Sequence, residues 1–357
     1  MMKRGWIAGA RDSGGTGAIG RAPPDRCPST ALALLVSALV GCAARPAVTF
    51  ERDRPSVRVH RAALYPETIE YSKKRDRFLL GSFREGSVYE VDVAGQVSRL
   101  VDDDRLCSVL GIAVDGEHGR LWAVSSDLGS GVRPSAAGPK NLAAVGVYDL
   151  ATGAPIDYVD LAHLAPGPHL LNGIAVDAAG DAYITDSFSP IIYKVDPQGR
   201  ASVFVRDERF AGEGINLNGL VVHPDGYLLV VKKSDGALFR VPLAHPEQLS
   251  KVDVAQGFIG GDGLLLIGKK ELVIIANRTP GAVSNAAFAL SSEDGWASAK
   301  VDAALPLGDV YPTTAVLRDG RIYVVHTKLD ELLRSPPEQR AGLRMEATIE
   351  EIGRVGR

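Results

Sequence analysis

Four polar side chains hold corresponding places in separate stretches of this 357-residue chain: Glu67, Asn172, Asn218 and Asp262. Asn172, Asn218 and Asp262 each precede a glycine and an apolar run (NGIAVD, NGLVVH, DGLLLI), and Glu67 opens ETIEYS at the matching point. Two carboxylates and two amide oxygens make a set of hard ligands whose negative charge balances a divalent ion, with Ca²⁺ the natural guest. Zinc would want His or Cys, and neither HxxxH nor CxxC spacing occurs. A single Asn or Asp at such a place ordinarily satisfies backbone groups in a turn. Four at one site are read as metal ligands. Whether the ion is catalytic or braces the fold stays open.

Hydrolysis at a metal also needs a proton acceptor and a hold on the substrate. His169, His326 and Asp186 are the candidates for the first role and Lys232 for the second, each with a solvated loop start as its plainer reading. No GxSxG elbow supports a serine nucleophile.

These residues meet only if a repeat brings them together. Six similar segments begin at Glu67, Leu110, Asn172, Asn218, Asp262 and Thr313, spaced 43–62 residues apart. Each runs on into a second strand and often a third with an aromatic residue, such as SVYEVD, VGVYDL and IIYKVD. Fourth strands follow five of the six. This is the pattern of an all-β, six-bladed β-propeller. Pro55–His60 supplies the missing strand beside Ala347–Ile352 and closes the ring, removing an exposed edge. Strands within a blade alternate in direction, so inner-strand starts and second-strand ends share one mouth. The longer insertions, Ser126–Leu142, Asn277–Asn285 and Thr327–Leu343, emerge there too. Their Arg133, Arg278 and Arg334 suit a polar or acidic small molecule.

Composition sets outer bounds. Forty Lys and Arg against 43 Asp and Glu leave no electrostatic footprint for nucleic acid, and 45% apolar residues suffice for a real core. The propeller is expected over 55–357, as a monomer acting on a small molecule. Residues 1–41 read as a signal peptide: basic residues, then the apolar run Ala31–Val40, too short to span a bilayer. It ends Leu39-Val40-Gly41-Cys42, which resembles a lipobox and implies cleavage before an acylated Cys42, with 42–54 as linker. Ala43 offers no inner-membrane retention signal, so an outer-membrane anchor in the periplasm is expected. Gly14–Gly20 looks like a dinucleotide loop but lacks the strand and helix it needs. Cys107 is expected to be a small core residue.

The four anchors in blades one, three, four and five resemble the metal site of the gluconolactonase-like family (senescence marker protein or regucalcin, luciferin-regenerating enzyme), related to paraoxonases and strictosidine-synthase-like proteins. That resemblance spans the mature chain and implies hydrolysis of lactones or esters with a bound divalent metal. A ligand-binding propeller with a structural calcium is the alternative. Three departures stand out. Thr68-Ile69 replaces the Gly-Pro usual after the first anchor, Val109-Leu110 replaces a paraoxonase-like histidine, and Tyr311-Pro312-Thr313-Thr314 lacks the glutamate of the strictosidine-synthase relatives. The second departure leaves the general base unassigned.

Overall fold

Alternating apolar residues give each strand two faces, and in this molecule both faces of nearly every sheet are covered by a neighbouring sheet. The computed structural model describes residues 48–51, 55–279 and 285–356. Cys42 and the signal-like segment lie outside them. Six antiparallel sheets follow one another in chain order as the blades of a propeller. Their inner strands are Pro66–Ser72, Ser108–Asp115, Leu171–Val176, Leu217–His223, Gly261–Ile267 and Tyr311–Arg318. Six apolar clusters fill the spaces between successive blades. One packs Trp122, Val124 and Val145 of blade 2 on Ile174, Ile184 and Tyr193 of blade 3, and another packs Phe78 and Leu80 of blade 1 on Val325 and Ile349 of blade 6. The core is therefore a ring of layers, and the axis is left for a channel.

The last blade is closed from the N-terminal side, as the sequence pattern predicts. Ser56–Ala62 pairs with the long strand Glu346–Val355, Val57 opposite Ile349. Val48–Phe50 extends the same pairing, Thr49 opposite Arg354. This corrects the linker assigned to 42–54: it is not free along its whole length, because Val48 buries into the apolar layer between blades 5 and 6.

Each inner strand carries a β-bulge at its anchor. In blade 3 the pairing to the second strand jumps from Leu171 to Ile174, in blade 4 from Leu217 to Leu220 and in blade 5 from Gly261 to Leu264. A bulge frees a residue from the ladder and re-aims its side chain; here the freed residues are the polar anchors. The glycine after each anchor permits the close packing that follows. A Cβ on Gly173 would lie 2.5 Å from the Asn218 carbonyl oxygen, and one on Gly219 would lie 2.1 Å from that of Asp262. The seam between blades 6 and 1 uses hydroxyl chemistry instead. Thr314 Oγ1 accepts from the Ile69 amide at 2.9 Å, and within blade 1 the methyl of Thr68 occupies the space left by Gly81.

Candidate functional site

The bulges turn Glu67, Asn172 and Asn218 onto one central cavity of about 370 Å³, lined below them by the aliphatic side chains of the inner strands. Asp262 stands at the equivalent point of blade 5, with its carboxyl against that of Glu67. All four are 3–6% exposed. Burial pushes the Glu67 carboxyl well above the usual carboxylate range, and the neighbouring Asp262 charge pushes it the same way. The two groups thus form a crowded acid pair.

A cation not foreseen from the sequence meets this pair. Lys233, buried in blade 4, donates to Asp262 Oδ2 at 2.7 Å and to Asn277 Oδ1. Asn277 in turn donates to Asp262 Oδ2 and, at 3.0 Å, to the Pro312 carbonyl. Tyr311 closes the side, its ring centroid 6.0 Å from the ammonium. Burial, then the charges of Asp262 and Glu67, raise the Tyr311 phenol far above its ordinary value. Asp262 Oδ1 is buried without a hydrogen bond among the described residues.

Ligand capacity remains in the ring. Asn172 Nδ2 donates to Ser187 Oγ at 3.2 Å, leaving its carbonyl oxygen unspent. The Asn218 side chain has no hydrogen-bond partner among the described residues. Two amide oxygens and the two carboxyls of Glu67 and Asp262, which hydrogen-bond to each other when Glu67 keeps its proton, are hard oxygen ligands, and this composition fits a divalent cation. No group of three or more His, Cys, Asp or Glu side chains suited to a metal occurs among the described residues, so any ion here would lean on the asparagines.

The other candidate residues lie elsewhere. His169 Nδ1 is 2.7 Å from Asp186 Oδ2 and its Nε2 is 3.1 Å from the Ala165 carbonyl oxygen, so both ring nitrogens are engaged. The hydrogen bond to Asp186 raises the imidazole pKa. Asp186 Oδ1 accepts from the amides of Leu170, Phe188 and Ser189. This pair ties a loop inside blade 3. His326 Nε2 lies 3.3 Å from Glu350 Oε2, between the outer strands of blade 6. Lys232 donates to the Arg209 and Ala211 carbonyls and pairs with Asp235 at 3.0 Å. Lys232 is the last residue of its strand, and Lys233, the first residue of the turn after it, is the one that reaches Asp262. Cys107 is buried, its thiol pushed up to about 11 by desolvation.

The mouth above the ring is covered. Tyr65, Leu110 and Leu170 at inner-strand starts and Phe83 after a second strand pack with Leu329 and Leu332 of a short helix, α1 (Leu329–Arg334), from the blade 6 insertion. Asp330 holds α1 to blade 5 through Arg278, at 3.0 Å.

No protein-family model matches the chain, and no curated protein sequence matches it. Solved structures do. The chain is similar to the Malassezia sympodialis allergen Mala s 1, at 16% identity over 83% of this chain and 95% of that one, with a TM-score of 0.66. It is similar to regucalcin, a calcium-binding protein of Agrobacterium tumefaciens, at 16% identity over 84% and 95%, with a TM-score of 0.57. Luciferin-regenerating enzyme aligns at 11% identity over 83% and 95%, with a TM-score of 0.55. The fold of this chain is the six-bladed propeller of regucalcin and luciferin-regenerating enzyme.

Proposed function

We propose that the chain hydrolyses small lactones or esters at a divalent ion, calcium by preference, held by Glu67, Asn172, Asn218 and Asp262. The observation that carries this reading is the set of four hard oxygen ligands at matching bulges around one buried cavity, above all the crowded carboxyl pair of Glu67 and Asp262. The fold shared with a calcium-binding regucalcin adds support. When bound, such an ion polarises a substrate carbonyl and stabilises negative charge on its oxygen. The chain's own part is to position. Lys233 and Asn277 fix Asp262 by its Oδ2, so that Oδ1 points one way. The aliphatic side chains below the ring give the cavity an apolar wall beside the polar anchors, which suits a substrate with a carbonyl and an apolar body. His169, Asp186 and His326 are engaged elsewhere, so the ring residues leave the proton acceptor to the substrate's own water or to a group outside the four ligands.

Those same engagements, with α1 over the mouth, favour a second reading: a propeller that binds a ligand without turning it over. A panel of lactones and aryl esters, assayed with and without chelator on wild type and Asp262→Ala, separates the two. Hydrolysis that falls at least tenfold under both treatments supports the first reading. Hydrolysis indifferent to both removes the metal from the mechanism, and calcium binding with no turnover of any substrate favours the second.

A further inference from the structure

Lys233 is the most deeply placed cation at the ring, and its surroundings differ from those of an ordinary surface lysine. It comes from blade 4, while its partners Asp262 and Asn277 belong to blade 5, and Asn277 reaches on to the Pro312 carbonyl of blade 6. One ammonium thus ties three blades around the axis. It is 5% exposed and approaches Asp262 from the Oδ2 side alone. Two carboxyl groups buried in contact are costly unless a positive charge answers them, and Lys233 is that charge.

We propose that Lys233 is a resident counter-cation of the ring. It supplies one positive charge to the carboxyl pair in place of a divalent ion's two, so that the propeller stands without metal and admits one only weakly, through Asp262 Oδ1 and its neighbours. The first half stands on the geometry of Lys233. The second rests on the metal reading above. A fixed positive charge a few ångströms from an incoming dication, in a medium far less polarisable than water, opposes its entry.

Thermal unfolding and calcium calorimetry on the full chain and on Lys233→Gln test this. Glutamine keeps a donor for Asp262 and removes the charge. Wild type is expected to unfold at the same temperature in calcium and in chelator. Lys233→Gln is expected to unfold several degrees lower in chelator, to recover in calcium, and to bind calcium roughly 100-fold more tightly. A wild type that itself loses several degrees on chelation overturns the proposal, because the ion would then be the counter-charge; the metal reading survives that result. Calcium binding no tighter in Lys233→Gln than in wild type also overturns it. If neither protein binds calcium at millimolar concentration, the metal reading fails, and Lys233→Gln unfolding like wild type then removes the counter-cation role as well. Should Lys233→Gln not fold, the chelation of wild type still decides.

Discussion

Two buried acid–base pairs, one in blade 3 and one between blades 4 and 5, use the same chemistry to different ends. In the pair of His169 and Asp186, every polar atom is accounted for: three amides and an imidazole on the carboxylate, a carbonyl on the second ring nitrogen. In the pair of Lys233 and Asp262, one carboxylate oxygen holds two donors while the other holds none, and a second carboxyl presses against it. A closed account marks a structural tie; an open one marks a place where something can bind.

The largest effect expected from breaking this contrast is on the closed pair. Asp186→Ala leaves three amides and an imidazole without an acceptor inside the protein, and should cost about 3–5 kcal/mol, seen as a lower urea midpoint with calcium affinity unchanged. A variant as stable as wild type would mean the pair holds nothing. Next is a carboxyl whose raised pKa owes nothing to a neighbouring charge. Glu70, half-buried, lines the channel below the ring; among the described residues its carboxylate accepts from the Tyr71 amide at 3.3 Å, and desolvation lifts its pKa from 4.5 to about 7. The folded state therefore binds this proton more tightly than the unfolded one, so stability falls as pH rises from 4.5 to about 7, with the full penalty above. Glu70→Gln should be more stable by about 1–3 kcal/mol above pH 7 and unchanged near pH 4.5; equal gain at both would exclude desolvation as the cause. The smallest stability change belongs to the open pair. Asp262→Asn leaves Glu67 able to ionise opposite Lys233, so the loss should be about 1 kcal/mol, while calcium binding drops at least tenfold. Denaturant titration and calorimetry check both halves, and a loss as large as that of Asp186→Ala would erase the distinction.

Much of this was written in the repeat. Period-two alternation marks the six inner strands, and Asn-Gly or Asp-Gly starts mark three of them, where the glycine lets the next blade's backbone approach closely. The strand that closes blade 6 is legible for the same reason, as an alternating run with no partner nearby in sequence. Lys233 was not. Lys232 ends its strand and Lys233 opens the turn after it, and which of the two faces the ring depends on a turn geometry that composition does not reveal. The engagement of His169 depends on loop hydrogen bonds from Ala165, Leu170 and Phe188, which carry no side-chain signature. Helix α1 did leave a trace: Leu329, Leu332 and Leu333 share a face, with Asp330 and Glu331 in the first turn and Arg334 in the last.

The strand Glu346–Val355 has a bearing on how the molecule comes into being. It accepts Ser56–Ala62 along one half and Val48–Phe50 along the other, and the ion pair of Arg354 with Glu51 joins residues 303 apart. Val48–Phe50 and Ser56–Ala62 must therefore wait, with bare edges, until Glu346–Val355 has been made. Such distant pairing slows folding and prolongs exposure of sticky backbone. For this chain, the final ten-residue strand acts as a clasp in time as well as in space.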